Sequence, residues 1–254
     1  MDMLSATFCQ LLMLYKGIFG QNSKSYQDII DACKCTLAQL QTSYLDLYLI
    51  HHPGAKAERL DQWRALVELQ SQGLVKHIGV SNYSVKHLEE IKVRDILHFT
   101  YLWNCRSIFI CQAAGLPAPE ANQIEVHPLC TQTDLITYMR THGITPIAYS
   151  SLAPASTWRV QEGHASGKTP AHTTHAATIA AMMEKYAVSE AQLLLKWAVQ
   201  LNLPIIPKSS KAVRIEENAQ LFHFSIDEGD MRTLCGLDQD LALAWPGTNP
   251  LEWD

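Results

Sequence analysis

The chain has 254 residues, with 20 Lys+Arg against 25 Asp+Glu for a formal net charge of −5, and 47% hydrophobic against 18% charged residues. That much apolar material builds a substantial core and excludes disorder as the default state. The acidic balance, without any Lys/Arg run, excludes the electrostatic footprint of a nucleic-acid or anionic-membrane surface. Seven cysteines, an odd number with no C-x-x-C pair, point to a reduced compartment rather than a secreted disulfide framework. Cys33 and Cys35 sit two apart, so on a helix they point away from each other. Residues 1–19 are apolar but open with Asp2 and place Lys16 behind the apolar stretch, which does not read as a targeting segment. Residues 96–114 carry Asn104, Arg106 and Gln112 and would span a membrane poorly. The expected location is the cytoplasm.

From residue 25 onward, amphipathic segments alternate with short apolar runs. Residues 26–40 place Ile29, Ile30, Cys33, Leu37 and Leu40 at helical spacing, and residues 45–50 form an apolar strand stopped by His51-His52-Pro53-Gly54. Residues 60–72 are predicted helical with Gly73 as the stop, residues 75–80 a strand, and Ser84 the cap of the next helix. A strand at 122–126, a helix at 133–141 closed by Gly143, and a strand at 145–149 follow. Residues 154–174 read as a polar loop and 176–186 as a helix, and Ser189-x-x-Gln192 is a capping box. Residues 203–207 are predicted as a strand and 212–221 as a helix, and Ser225-x-x-Glu228 caps another. Trp63 and Trp197 fall on apolar helix faces and read as packing. His164, His172 and His175 lie in or beside the polar loop without ligand-like spacing, so no metal site is expected.

Strands alternating with helices imply βαβ crossovers and a mainly parallel sheet. No strand is followed by G-x-G-x-x-G or G-x-x-x-x-G-K-[ST]. Polar residues cluster at the strands instead: His51, Ser81-Asn82, Gln123, Tyr149-Ser150 and Lys208-Ser209. In a (β/α) barrel the C-terminal strand ends are where chemistry sits.

Five segments carry a resemblance: Leu45-Asp-Leu-Tyr-Leu-Ile-His51, Ile78-Gly-Val-Ser-Asn-Tyr83, Ala121-Asn-Gln-Ile-Glu-Val-His-Pro128, Ala148-Tyr-Ser-Ser-Leu152 and Ile206-Pro-Lys-Ser with Arg214-Ile-Glu-Glu-Asn218. In order and spacing they resemble the aldo-keto reductase family. The resemblance implies a (β/α)8 barrel of TIM type that holds NADP(H) in an extended pose. It also implies reduction of an aldehyde or ketone to an alcohol, or, alternatively, a relative that binds NADP(H) without turnover. Expected partners are a small carbonyl substrate, with no nucleic acid and no membrane, and the chain is expected to be a monomer.

Position by position, His51 matches the active-site histidine that orients the carbonyl, although beside a Pro turn it could be a structural histidine. His52 stands where many members carry a Trp of the substrate pocket. Ser81, Asn82 and Gln123 match the residues that hydrogen-bond the nicotinamide carboxamide, which needs donors and acceptors together. Helix capping would also account for Ser81-Asn82. Tyr149 matches the ring that stacks on nicotinamide, and Ser150 and Leu152 match positions along the pyrophosphate. Ser151 and Ala153 replace the Pro and Gly more usual in that loop. Lys208, Ser209 and Arg214 match the cradle for the 2′-phosphate, with Glu217 and Asn218 on the adenine side. A Lys point charge with an Arg fork near a helix start suits a phosphate monoester, and Lys211 adds charge; exposed solvated cations are the plain alternative.

Two departures mark the chain. The family also draws an Asp and a Tyr from a D-x-A-x-x-Y motif and a Lys from the third strand. No such motif occurs upstream of Tyr26, and Lys16 could be that lysine only if residues 10–16 form a strand. The expected barrel is therefore incomplete, with its first strands missing, and lacks a general acid of the kind that typically contributes about 10²–10⁴ in rate. Residues 93–115 form an unusual insertion rich in Leu, Ile, Phe and Cys. The expected division is an atypical segment at 1–22 and a barrel domain at 23–254.

Overall fold

The computed structural model describes residues 11–13, 25–92, 115–153, 170–245 and 249–254. The expectations for Lys16, for the insertion at 93–114, for His164 and for residues 1–22 other than 11–13 lie outside them.

The described residues fall into two compact units, one within Met1–Asn122 with Leu251–Asp254, the other within Gln123–Pro250. The first unit holds β1 (Leu11–Met13), α1 (Tyr26–Leu40), β2 (Leu45–Ile50), α2 (Lys56–Ser71), β3 (Val75–Ser81) and α3 (Val85–Ile91), and β4 (Ala121–Glu125) begins at its edge. β1 pairs parallel with β2, and β2 parallel with β3, with Leu11 opposite Leu47 and Ile50 opposite Val80. The run at residues 10–16 thus does contain a strand, although a short one.

α1 starts at Ser25, whose side chain accepts from the Asp28 N–H while Asp28 reaches back to the Ser25 N–H, a reciprocal capping box. Its stripe Ile29, Ile30, Cys33 and Leu37 is buried, and α1 packs on α2. Cys33 is buried and Cys35 exposed, as their spacing requires. α3 is capped at Ser84, with the His87 ring taking the place of the usual Glu or Gln. Tyr48 and Leu49 of β2, Trp63 and Leu66 of α2, and Ile78 of β3 are almost wholly buried. The Trp63 indole donates to the Pro117 carbonyl at 2.9 Å, which satisfies its N–H.

Two features fix this unit's geometry. Gly79 lies so near the next strand that a Cβ there would sit 2.5 Å from the Ala121 carbonyl oxygen and 2.7 Å from Leu49 Cδ2. Arg59, 1% exposed, donates from Nε to Pro53 O at 3.1 Å and from Nη2 to Gly54 O at 3.2 Å and Trp253 O at 3.3 Å. Its Nη1 pairs with the Glu90 carboxylate.

The second unit holds the rest of β4, then α4 (Thr133–Thr141), β5 (Thr145–Tyr149), α5 (Pro170–Tyr186), α6 (Glu190–Gln200), α7 (Ala212–Ala219) and α8 (Glu228–Cys235). β4 neighbours β5. The core includes Ile124, Met139, Ile147, Leu193, Leu194 and Trp197. α6 begins with the Ser189/Gln192 capping box expected from the sequence.

Three expectations need correction. Residues 203–207 make only a single parallel bridge, Ile205 to Ala148, with Ala148 N–H bonded to Pro204 O at 2.8 Å. Pro204 and Pro207 have no N–H, so a continuous ladder cannot form there. The cap of α8 is Asp227, which accepts from the Asp230 N–H at 2.9 Å, and not Ser225. Gln200 holds Ile226 through both its N–H and its carbonyl, at 2.7 and 2.8 Å, and that keeps the chain extended past Ser225. α5 starts at Pro170, six residues before the expected start at 176, because proline suits the first helical position. His172 and His175 therefore belong to a helix and not a loop. Among the described residues no group of three or more His, Cys, Asp or Glu is placed to hold a metal ion.

Replacing Gly79 by Ala should lower unfolding free energy by about 1–3 kcal/mol, because the new methyl meets a backbone carbonyl that cannot yield. Urea titration followed by circular dichroism reads this. Glu90→Ala should cost about 3 kcal/mol in the same titration, since it leaves the Arg59 guanidinium buried without its counter-ion. Lys56→Ala, which touches the same Glu90 from an exposed position at 3.3 Å, should change it by under about 1 kcal/mol.

Candidate active site

In the first unit, β2 and β3 end side by side and deliver His51, His52, Ser81 and Asn82 together. His51 is the first residue beyond β2 and half-buried. Burial, reinforced by the neighbouring His52 ring, pushes its imidazole down to about 4, so at neutral pH it is uncharged. Ser81, the last residue of β3, is fully buried. Asn82 follows in the left-handed region at φ 61°, a conformation that Asn tolerates better than most residues. Its Nδ2 donates to the His51 carbonyl at 3.0 Å and to Ser81 Oγ at 3.2 Å. The two amide hydrogens thus lock the backbone that carries His51, a structural role alongside any ligand contact.

His52 Nδ1 accepts the Gly54 N–H at 3.2 Å. The His52 ring lies 5.7 Å from that of His51 and 5.1 Å, edge to face, from the Trp253 indole. Trp253 is itself held by its carbonyl, which His87 Nε2 meets at 2.6 Å. The Ser84 N–H donates to His87 Nδ1 at 3.1 Å, so the ring is a neutral Nε2–H tautomer, and burial of that ring lowers its pKa. An aromatic residue does stand beside position 52, then, but it comes from the far end of the chain.

In the second unit, Gln123 is the central residue of β4 and fully buried. Tyr149 ends β5, half-buried; its hydroxyl accepts from the Trp245 indole at 2.9 Å and its carbonyl from the Val126 N–H at 3.2 Å. Ser150 has a left-handed backbone at φ 55°, and its carbonyl accepts from the Ala153 N–H at 2.7 Å, closing a tight turn that contains Leu152. Ser151 in that turn is buried, and its hydroxyl has no hydrogen-bond partner among the described residues.

Lys208 is exposed and leads into α7. Ser209 Oγ accepts from the Lys211 N–H at 3.2 Å, and Lys211, the N-cap of α7, makes no side-chain capping bond. Arg214 is exposed on the first turns of α7. Glu217 is half-buried and Asn218 buried on the same helix, which Gln192 fastens at the Glu217 and Gln220 carbonyls at 3.5 and 3.1 Å. Lys208 and Lys211 thus precede α7 and Arg214 stands in its first turn, which gathers positive charge near the positive end of the helix dipole.

Four residues that shape these surroundings were not singled out from the sequence: Glu125, His127, Trp245 and Trp253. Glu125 and His127 lie inside the quoted Asn-Gln-Ile-Glu-Val-His motif, and charged or polar types in a strand otherwise buried throughout are a readable signal. Trp245 and Trp253 carry no local signal, because their partners are 96 and about 200 residues away in sequence.

Comparison with known proteins gives one family. The model described as the Aldo/keto reductase family matches residues 13–239. Aldo-keto reductase family 1 member A1 of Xenopus tropicalis is 33% identical over 240 residues, covering 86% of this chain and 65% of that protein. Glyoxal reductase of Bacillus subtilis (strain 168) is 34% identical over 230 residues, covering 90% of this chain and 68% of that one. A solved aldo-keto reductase of Bombyx mori in complex with NADP is 25% identical with a TM-score of 0.68, covering 87% of this chain and 66% of that one. The chain spans about two thirds of the length of the curated relatives it matches. With its parallel strands and alternating helices, the chain has an α/β fold of the (β/α)8-barrel type, and it belongs to the aldo/keto reductase family.

Proposed function

We propose that this protein reduces a small aldehyde or ketone to the alcohol with NADPH as the reductant. The observation that carries the proposal is the neutral imidazole of His51, held at the end of β2 beside buried Ser81 and Asn82 at the end of β3. A polar cluster of this kind costs stability in an otherwise apolar sheet and suits a bound polar ligand.

Within each unit the side chains present are of types that suit part of the dinucleotide. In the first unit Ser81 and Asn82, and in the second Gln123, are of the mixed donor and acceptor types that a carboxamide needs, and Tyr149 offers a flat ring anchored at its hydroxyl. Ser150, Ser151 and Leu152 lie in a tight turn with a buried hydroxyl to donate, suited to a pyrophosphate. Lys208, Ser209 and Arg214 suit a 2′-phosphate, and Glu217 with buried Asn218 suits the adenine edge. Hydride comes from the nicotinamide ring when the cofactor is bound. His51 acts as a hydrogen-bond donor to the substrate oxygen; being uncharged, it orients that oxygen and polarises its carbonyl, and the proton that completes the alcohol is taken from solvent water. His52, with Trp253 against it, borders the same polar cluster and is assigned to substrate contact.

The proposal is tested by following NADPH oxidation with a panel of small aldehydes, beginning with glyoxal because one relative is named for it. NADPH binding seen as fluorescence quenching, with no turnover on any aldehyde, would make the chain a cofactor-binding relative instead. No binding at all would sink the proposal. Lys208→Ala or Arg214→Ala should raise the Kd for NADPH by about 10-fold or more, the usual loss for one charged hydrogen bond, and leave the Kd for NADH unchanged. His51→Phe should lower kcat by about 100-fold with the NADPH Kd unaltered. In the parent protein His51 contributes no break in the kcat profile near pH 6.5. Its contribution is lost only as pH falls toward about 4, where the ring takes up a proton.

A further inference from the structure

In the second unit, residues 238–245 are strapped along the end of β4 at nearly every step. Asp238 takes the Thr131 N–H at 3.2 Å and the Thr131 hydroxyl, and the Leu129 carbonyl takes the N–H groups of Gln239 and Leu241 at 3.2 and 2.9 Å. His127 and Cys130 close the turn that presents Leu129, exchanging backbone hydrogen bonds at 3.1 and 2.8 Å. The last anchor is Glu125, 5% exposed, whose carboxylate accepts from the Leu243 N–H at 2.8 Å and from the Ala244 N–H at 2.9 and 3.1 Å. His127 Nε2 meets the same carboxylate at 3.1 Å. The next residue, Trp245, donates its indole N–H to the Tyr149 hydroxyl, and the Tyr149 carbonyl accepts from Val126, the residue after Glu125.

We propose that Glu125 is a positioning residue for the nicotinamide site: through the strap it sets Trp245, and through Trp245 the direction in which the Tyr149 ring is held. Two consecutive peptide N–H groups aimed at one carboxylate fix the orientation of both peptides and with it the direction in which the following side chain leaves. A tyrosine held at its hydroxyl as well as at its backbone has the direction of its ring's long axis, and so its χ1, fixed at both ends. A buried carboxylate is costly unless fully hydrogen-bonded, and a neutral side chain of similar size would pack at this position for less. The charge is explained by what it orders 118 and 119 residues away.

The inference rests on reading Tyr149 as the ring that faces nicotinamide, and the test separates the two claims. In the full chain, Glu125→Gln keeps the shape but removes the charge and one acceptor. Trp245→Phe keeps a ring but removes only the donor, and serves if the first variant does not fold. Hydrogen exchange of the Trp245 indole N–H, followed by NMR, should be faster in Glu125→Gln than in the parent. Fluorescence quenching should give a Kd for NADPH raised about 2- to 10-fold in each single variant, the share of one ordinary hydrogen bond. The double variant should be no weaker than the weaker single one, because both act through one linkage. Unchanged indole exchange in Glu125→Gln overturns the inference, as do an unchanged Kd in Trp245→Phe and fully additive losses. A lower melting temperature with the Kd unchanged assigns Glu125 to stability alone and overturns it equally. If the parent chain does not bind NADPH, the reading of Tyr149 fails and the cofactor half of the inference with it, while indole exchange still decides whether Glu125 sets Trp245.

Discussion

The buried guanidinium of Arg59 is the constraint on which the His51 turn depends. A charged group this far from water costs several kcal/mol unless its donors are met, and Arg59 has five in a fixed planar fork. The fold meets four of them, with two carbonyls of the turn after β2, one from Trp253 and the carboxylate of Glu90 on α3. Burial tends to push the Glu90 carboxyl up, but the Arg59 hydrogen bond and charge, with help from Lys56, bring it below the usual carboxylate range. The carboxylate that neutralises Arg59 therefore stays ionised through the ordinary pH range. The turn His51-His52-Pro53-Gly54 is consequently set by electrostatics rather than by loop propensity, with Gly54 supplying the left-handed backbone at φ 58°. Asn82 fastens the other side of the same turn at the His51 carbonyl.

That arrangement also determines what His51 can do. A histidine beside a carboxylate would carry a proton near neutrality; at His51 burial, with the neighbouring His52 imidazole, works the other way. Burial then prevails and the ring is neutral. A neutral imidazole is a directional donor, and its charge does not change across the pH range in which proteins usually work. Selecting and orienting a carbonyl oxygen suits it better than storing a proton.

Much of this was legible in the sequence, and the limits have physical causes. The reciprocal cap at Ser189, the buried stripe of α1, and the strands at 45–50 and 145–149 follow from local spacing, and the structure realises them. The strand ends that carry His51, Ser81-Asn82 and Tyr149 were legible for the same reason, since an apolar run cut off by polar residues marks a boundary. Local pattern failed where a neighbour distant in sequence overrides it. Ser225 has the spacing of a cap, but Gln200 holds Ile226 extended and moves the start of α8 to Asp227. The apolar run at 203–207 looks like a strand until its two prolines are counted as missing donors. Glu125 and Trp245 act on partners roughly a hundred residues away, which no window along the chain contains.

The polar residues on β3 and β4 sharpen the distinction between support and function. Asn122 is buried, yet its side chain is used up inside the protein, donating to the Tyr83 carbonyl at 2.8 Å and accepting from the Tyr83 N–H at 3.3 Å. It clamps one turn and needs nothing further to explain it. Gln123, its neighbour on the opposite face of the strand, occupies the position that the family resemblance assigns to the carboxamide, and an aliphatic residue there would bury more cheaply. Alternation along the strand sends the two amides to opposite faces. Glu125 continues the period on the Gln123 face, where it captures the strap that carries Trp245. A five-residue strand can therefore clamp one turn from Asn122 and fasten a distant strap from Glu125.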